Sequence, residues 1–403
     1  MSRRLAARLG CTEGQAMTIV IGLVFGLVTA VIGIPPVTRH RAGVAGAAPV
    51  RAAEVAGPGP ATPVPAAVPV ATVAPTPDLA PAIIPSAPTP PVPEGQPAAA
   101  AQSPLTTIGL FARVPDPGAP EGIAVARDGT VYVATDNAEG HGGAGPSKVL
   151  RYSPAGVLQG AVEIAGQPAN RTVGLAGLAI EPGGALLVAD ASTGRIIRLD
   201  SAGQRTVATL LDLPACGGVV AAPLGCEPGT VNHRPEPRGI VVDSAGVIYV
   251  TDAGQGIIWR IDATGVPRPL HRDAAYSGSS ALGGIAIDKA GELVFAAGRV
   301  YALPVDAIGR TGTRRLFAEI SPGDGALGVT ADASGVYVSL AKANRILILT
   351  PAGAERGRVV SSDGDPVPLD APSGIAVSGS RLLITNQSAT NDANDWAVLT
   401  ATL

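Results

Sequence analysis

Seven side chains of this 403-residue chain are of types that could act together at one place. Glu121, Arg238 and Ser373 each stand directly before a glycine, and Thr135, Asp190, Asp252 and Asn386 each end a short apolar run that follows a glycine of the same kind. If those glycines face a common axis, a carboxylate, a guanidinium, hydroxyls and an amide gather on one side of it. The equivalent positions Ala176, Gly283 and Leu327, with Ala297 and Leu340, leave the other side small or apolar. Such a set makes a patterned binding pocket. A general base needs a partner in hydrogen-bond reach, and the sequence identifies no such pair, so no catalytic residue is assigned. Glu121 and Arg238 suit pairing with one another or with neighbouring loops. Asp190 and Asp252 suit the acceptance of backbone hydrogen bonds at the turn after each run. His141 and His233 lie in loops, where they read as plain loop residues. Asn391–Asp395 (NDAND) is acid- and amide-rich but has neither the glycine nor the final glutamate of an EF-hand loop. No G-x-S-x-G, phosphate-loop or H-E-x-x-H motif occurs.

A repeat would bring these residues together. Pro237–Gly265, PRGIVVDSAGVIYVTDAGQGIIWRIDATG, reads as three apolar, β-branched strands: Gly239–Val242, Val247–Thr251 and Ile257–Ile261. Turns rich in Asp, Ala and Gly separate them. Further copies occupy Pro120–Gly156, Leu175–Gly203, Leu282–Gly309, Ala326–Gly353 and the stretch from Pro372. Their opening glycines, Gly122, Gly177, Gly239, Gly284, Gly328 and Gly374, are spaced by 55, 62, 45, 44 and 46 residues, in or above the range of propeller blades. Fourth strands are expected at Val157–Ile164, Arg205–Leu213, Arg314–Ile320 and Arg356–Val360; the one after the third copy, near Pro267–His271, is poor. The sixth copy holds three strands, while an apolar stretch, Thr107–Val114, stands alone before the first. If that stretch completes the sixth blade, the ring closes and no sheet edge is left bare. The expected fold is therefore all-β, one six-bladed propeller over residues 105–403.

The pattern P-x-G-[IL]-[AV]-[VI]-D-x-x-G-x-[VIL]-Y-V-[AT]-D, clearest at Pro237–Asp252, resembles NHL-type repeats and the related gluconolactonase-like (senescence marker protein) propellers. The resemblance covers the whole ring and none of the chain before it. It implies the fold and, for the enzymes of the group, a divalent metal held in the channel by a Glu, two Asn-type ligands and an Asp. Position by position only Glu121 fits, because Ala176, Arg238, Gly283, Leu327 and Ser373 stand where the pattern would put Asn or Asp. One carboxylate beside an arginine falls short of the six to eight oxygens that calcium takes. No cofactor is assigned on this basis, and a divalent cation (calcium or zinc) would find Glu121 as its ligand.

Before the ring, residues 1–16 read as a cytoplasmic start and Met17–Ile34 as an uncharged apolar run. As a helix the run would span about 27 Å, near the thickness of a bilayer core. Arg3, Arg4 and Arg8 favour an orientation with the N-terminus inside, which Arg39 and Arg41 weaken. A cleaved signal peptide ending at Val28–Ala30 is the other reading; the length of the run favours an uncleaved anchor. Residues 35–104 are so rich in Pro and Ala that no packed core can form, and a disordered, semi-rigid stalk is expected. Cys216 and Cys226, ten residues apart, suit a disulfide in an oxidising compartment. A net charge of −3 gives no footprint for nucleic acid.

The turns at one end of the ring are uniformly tight (ARDG, EPGG, DSAG, DKAG), and nothing there reads as a binding site. The other end carries every insertion: Asp136–Lys148, Gly166–Gly174, Pro214–Glu236, Ser361–Ala371 and Asn386–Asp395. Long loops clustered on one end of a rigid scaffold are where binding is usually built. The expected protein is a single-pass, membrane-tethered propeller outside the cytoplasm, or a secreted one if the N-terminal segment is cut. It binds a protein, glycan or small molecule through the loop-rich face. A gluconolactonase-like hydrolase or lyase with an altered site is the alternative.

Overall fold

The computed structural model describes residues 107–137, 146–169, 172–213, 234–273, 276, 282–321, 323–390 and 392–403. The anchor at 17–34, the stalk at 35–104, Cys11, the Cys216–Cys226 pair, His141 and His233 all lie outside those residues. Among the described residues, no helix is long and apolar enough to cross a membrane.

Six four-stranded antiparallel sheets form the structure. Their inner strands are Ala119–Val125, Leu175–Ile180, Pro237–Val242, Ile285–Ile287, Ala326–Asp332 and Pro372–Ser378, one in each of blades 1 to 6. In blades 1 to 5 the four strands follow one another in the chain. Blade 6 takes its outer strand, Ile108–Arg113, from the other end of the ring, where it pairs with Ala397–Thr402. The ring thus closes through hydrogen bonds between the two ends of the described chain. Blade 3 does have a complete outer strand, Pro267–Arg272, against the expectation of a poor one. Pro267 and Pro269 are tolerated there because an outer strand presents one row of its backbone groups to solvent rather than to a partner.

The core is divided. Buried residues fall into six clusters, and each fills the seam between two neighbouring blades. The second strands are buried on both faces, as in Leu186–Asp190 and Ile248–Asp252, which is why they read as continuous apolar runs rather than as alternating ones. Each fully buried Leu or Ile side chain contributes about 1.5–3 kcal/mol, so every seam is a substantial hydrophobic interface.

Nearest the axis the blades meet backbone to backbone. A Cβ on Gly122 would lie 2.0 Å from the carbonyl oxygen of Ala176, and one on Gly328 would lie 2.1 Å from that of Ser373. The other four opening glycines abut the next blade in the same way, so the recurring glycine marks close approach and not a turn. Hydroxyls from the second strands lock three of these contacts. Thr251, Ser339 and Thr385 accept the N–H of Gly239, Gly328 and Gly374, each at 2.7 Å, and donate to the carbonyls of Gly283, Ser373 and Glu121 in the following blade. Blades 1, 2 and 4 hold Ala134, Ala189 and Ala296 at that position.

Candidate functional site, the channel mouth

The site begins with a kink in each inner strand. In blades 1, 2, 3, 5 and 6 the pairing register shifts across the opening glycine, for example between Pro120 and Ile123 and between Pro237 and Ile240. A bulge at this place turns the residue before the glycine toward the axis. Glu121, Ala176, Arg238, Gly283, Leu327 and Ser373 line a narrow cavity of about 80 Å³ at the centre of the ring. One residue beyond the glycines, Ile123, Leu178, Ile240, Ile285, Val329 and Ile375 give this cavity an apolar floor.

Glu121 is 7 % exposed and is held from two sides. Arg238 Nη1 stands 3.4 Å from its Oε1, an ion pair from blade 3 to blade 1 that small Ala176 between them leaves room for. On the other side the side-chain amide of Gln387, from the loop after the second strand of blade 6, donates to Oε2. Ser373 is occupied by closure of the ring: its hydroxyl lies 3.1 Å and 3.0 Å from the carbonyls of Pro120 and Glu121 and 2.8 Å from Thr385 Oγ1.

The other four expected site residues are fully buried and stand behind the channel wall, at the feet of the loops. Thr135 Oγ1 accepts the N–H of Lys148 at 3.0 Å, closing the base of the first insertion. Asp190 takes up Ser192 and Thr193 through their hydroxyls, both at 2.6 Å, and pairs with Arg195 at 3.0 Å. Asp252 accepts the N–H groups of Glu236, Gly254 and Gln255 at 2.8, 3.0 and 3.1 Å, and the indole N–H of Trp259 at 3.0 Å. Burial pushes the Asp252 carboxyl up to about 6, and these hydrogen bonds pull against that rise. Asn386 accepts the N–H of Asp370 at 2.7 Å and donates to the carbonyls of Pro368 and Asp395, so it ties two loops at once. The structure therefore sorts the seven residues into two groups. Glu121, Arg238 and Ser373 meet at the mouth; Thr135, Asp190, Asp252 and Asn386 hold the loops around it.

Three residues of this arrangement escape sequence reading. Gln387 follows Asn386 in a loop. Gln255 clamps Leu211 and Leu213 through its amide at 2.9 and 3.2 Å. Gln167 does the same for Ser147 and Ile164. Glutamines in loops carry no spacing signal; of the three, Gln387 alone stands next to a strand-ending Asn or Asp.

A divalent cation does not fit this donor set. Glu121 is the one acidic side chain among the residues lining the cavity, and a guanidinium already faces it. Calcium takes six to eight oxygens and zinc usually four ligands. Among the described residues no group of three His, Cys, Asp or Glu side chains is placed to hold a metal. The tight-turn end carries a concavity of its own. A groove of about 970 Å³ opens there between blades 2 and 3, lined by the turns at 181–185, 200–202, 244–246 and 262–265 and by the Arg198–Glu181 ion pair.

No protein-family profile and no curated protein sequence matches this chain. Solved structures do. A structural-genomics protein assigned as a gluconolactonase aligns with a TM-score of 0.52 at 15 % identity, over 74 % of this chain and 92 % of its own. A gluconolactonase from Xanthomonas campestris aligns with a TM-score of 0.51 at 15 % identity, over 74 % of this chain and 90 % of its own. Virginiamycin B lyase from Staphylococcus aureus aligns with a TM-score of 0.48 at 16 % identity, over 74 % and 99 %. From residue 107 onward, the chain has the six-bladed β-propeller fold shared by the gluconolactonase-like proteins.

Proposed function

We propose that this protein is a membrane-tethered, extracytoplasmic propeller that works as a binding or sensor module through its loop-rich face. The observation that carries this reading is the state of Glu121. Among the described residues, the one acidic side chain lining the channel is paired with Arg238 and bonded by Gln387, and these residues do not supply the oxygen-rich set that metal-assisted lactone hydrolysis needs. The buried residues behind the mouth support it too, since each fixes the foot of a loop on that face and so presents the loops from a rigid base. Candidate partners are a protein, a glycan or a small molecule on this face and a bilayer at residues 17–34. The near-neutral charge argues against nucleic acid.

The alternative, a hydrolase or lyase of gluconolactonase type, draws on likeness of fold. Metal analysis of the purified full chain, with a screen of sugar lactones for hydrolysis, separates the two. The expected result is substoichiometric metal and no turnover above the uncatalysed rate. Stoichiometric calcium or zinc together with lactone turnover would overturn the binding reading.

A further inference from the structure

We infer that the channel mouth is a cup for the carboxylate end of a small aliphatic acid. This rests on the binding reading above and names the ligand class of the same site. Arg238 is the first observation. Its only polar contact in the described structure is the long one, 3.4 Å, from Nη1 to Glu121, and a quarter of its side chain is exposed. A guanidinium carries five N–H donors in a planar fork matched to a carboxylate. Four of the five are uncommitted here. Glu121, by contrast, has both oxygens engaged. Ser373 has its hydroxyl spent on the carbonyls of blade 1. Among the described residues at the mouth, the uncommitted side-chain donors are those of Arg238, and the group they recognise is an acceptor.

Charge and shape narrow the acceptor further. Glu121 fixes the guanidinium from one side and balances its charge. An arriving anion then shares a cation already held in place, and little side-chain entropy is lost on binding. Below the guanidinium the walls are glycine backbone, and the floor is the ring of Ile123, Leu178, Ile240, Ile285, Val329 and Ile375. Each of these is buried to between 4 % and 7 % exposure, and none has a side-chain polar group to offer a ligand. The ligand is thus anionic at the outer end and apolar at the inner one. Size sets the length. A cavity of about 80 Å³ on this measure holds roughly five to eight water-sized groups, at about 10–15 Å³ each. Counting each non-hydrogen atom as one group, propionate and butyrate fall within that range, hexanoate reaches its upper limit, acetate underfills it and longer chains exceed it.

The test is a titration of the full-length chain with formate, acetate, propionate, butyrate, hexanoate and octanoate at fixed ionic strength, followed by calorimetry or saturation-transfer NMR. Propionamide and n-propanol serve as neutral counterparts. Affinity should climb by about three- to fourfold for each methylene up to butyrate, flatten by hexanoate and fall at octanoate. Propionamide and propanol should bind at least about tenfold more weakly than propionate, since a charge-assisted hydrogen bond is lost. In Arg238→Gln the advantage of propionate over propionamide should vanish, while Arg238→Lys should keep it in reduced form. No saturable binding of any acid, equal affinity for propionate and propionamide, or no dependence on chain length would each overturn the cup. The wild-type series needs no variant to fold. If the acids fail to bind while metal and lactone assays are also negative, the cup falls and the binding-module reading stands. Stoichiometric metal together with lactone turnover sinks the reading itself.

Discussion

Asp252 shows most clearly what the buried acids of this protein do. Its carboxylate is fully buried and receives five N–H groups, from Glu236, Gly254, Gln255 (backbone and side chain) and Trp259. Those donors stabilise the ionised form, but desolvation is the larger effect and lifts the carboxyl from 3.8 to about 6. The consequence for stability has a definite direction. Above pH 6 both folded and unfolded chains carry the charge, and the folded chain bears the cost of burying it. As the pH falls from about 6 to about 4, the folded chain takes up a proton that the unfolded chain does not yet bind, so folding is favoured. Roughly two pK units at about 1.4 kcal/mol each make this gain about 3 kcal/mol. Asp252→Asn removes the titration and sets an NH₂ against N–H donors. It should therefore cost about 1–3 kcal/mol at pH 7. Urea unfolding at pH 7, 6, 5 and 4 should show the gap between wild type and variant widening toward acid. Parallel curves would mean that Asp252 keeps an ordinary carboxyl in the folded protein.

Among the structural elements, the inner strand decides how blades meet, and its glycine is the contact point. Gly328 has an ordinary φ, so Ala there is not barred by backbone conformation; what bars it is Ser373 O at 2.1 Å and Ser339 Oγ at 2.9 Å from the new methyl. Gly328→Ala should cost about 2–3 kcal/mol through forced separation of blades 5 and 6. Gly160, in the outer strand Leu158–Glu163, is the control, because a methyl there meets nothing within 4 Å. Gly160→Ala should be neutral or stabilising by up to about 1 kcal/mol. Similar urea midpoints for the two variants would dismiss close approach as the reason for the glycine repeat. These strands also show what could be read from the chain alone. The glycine spacing and the β-branched runs are local signals, and they place Glu121, Arg238 and Ser373 at one mouth once the ring is assumed. That Glu121 meets Arg238 across Ala176 is not local, since it depends on the curvature of the ring and on a gap left by a small residue. The loop-holding work of Thr135, Asp190, Asp252 and Asn386 is half visible. Their position at strand ends is in the sequence, but which way each side chain turns is set by the blade behind it. The outer strand at Pro267–Arg272 was obscured because proline is judged against strands in general, and the edge position that excuses it is known only from the pairing.

For the molecule as a whole, everything at the channel mouth depends on closure, and closure depends on six residues. The strand Ile108–Arg113 touches three parts of the ring. It pairs with Ala397–Thr402 of its own blade, and the backbone N–H of Val114 just beyond it reaches Trp396 O at 3.1 Å. Toward blade 5, Ile108 is fully buried beside Val367 and Leu369, and its N–H meets Asp365 Oδ1 at 3.3 Å. Toward blade 1, the Tyr152 hydroxyl donates to the carbonyl of Arg113 at 3.1 Å, and Gly156 packs so tightly on Phe111 O that a Cβ would lie 2.1 Å from it. Removing this strand would bare the backbone edge of Ala397–Thr402 and open two seams together, those of blade 6 with blades 5 and 1. An uncovered, apolar strand edge pairs with whatever strand is offered. A chain beginning at Leu105 should therefore run as a monomer on size exclusion and unfold cooperatively. One beginning at Pro115 should elute as oligomers or aggregate, with amide exchange at 397–402 accelerated by orders of magnitude relative to blade 3. Adding the peptide 105–114 in trans should restore both the elution volume and the protection, because the binding groove for it is the blade itself. If the shorter chain instead stays monomeric and melts with the longer one, the ring does not rely on this strand. The Glu121–Arg238 pair would then need some other support for its geometry, since the seam between blades 6 and 1 is what places Glu121 against Gln387 and Thr385.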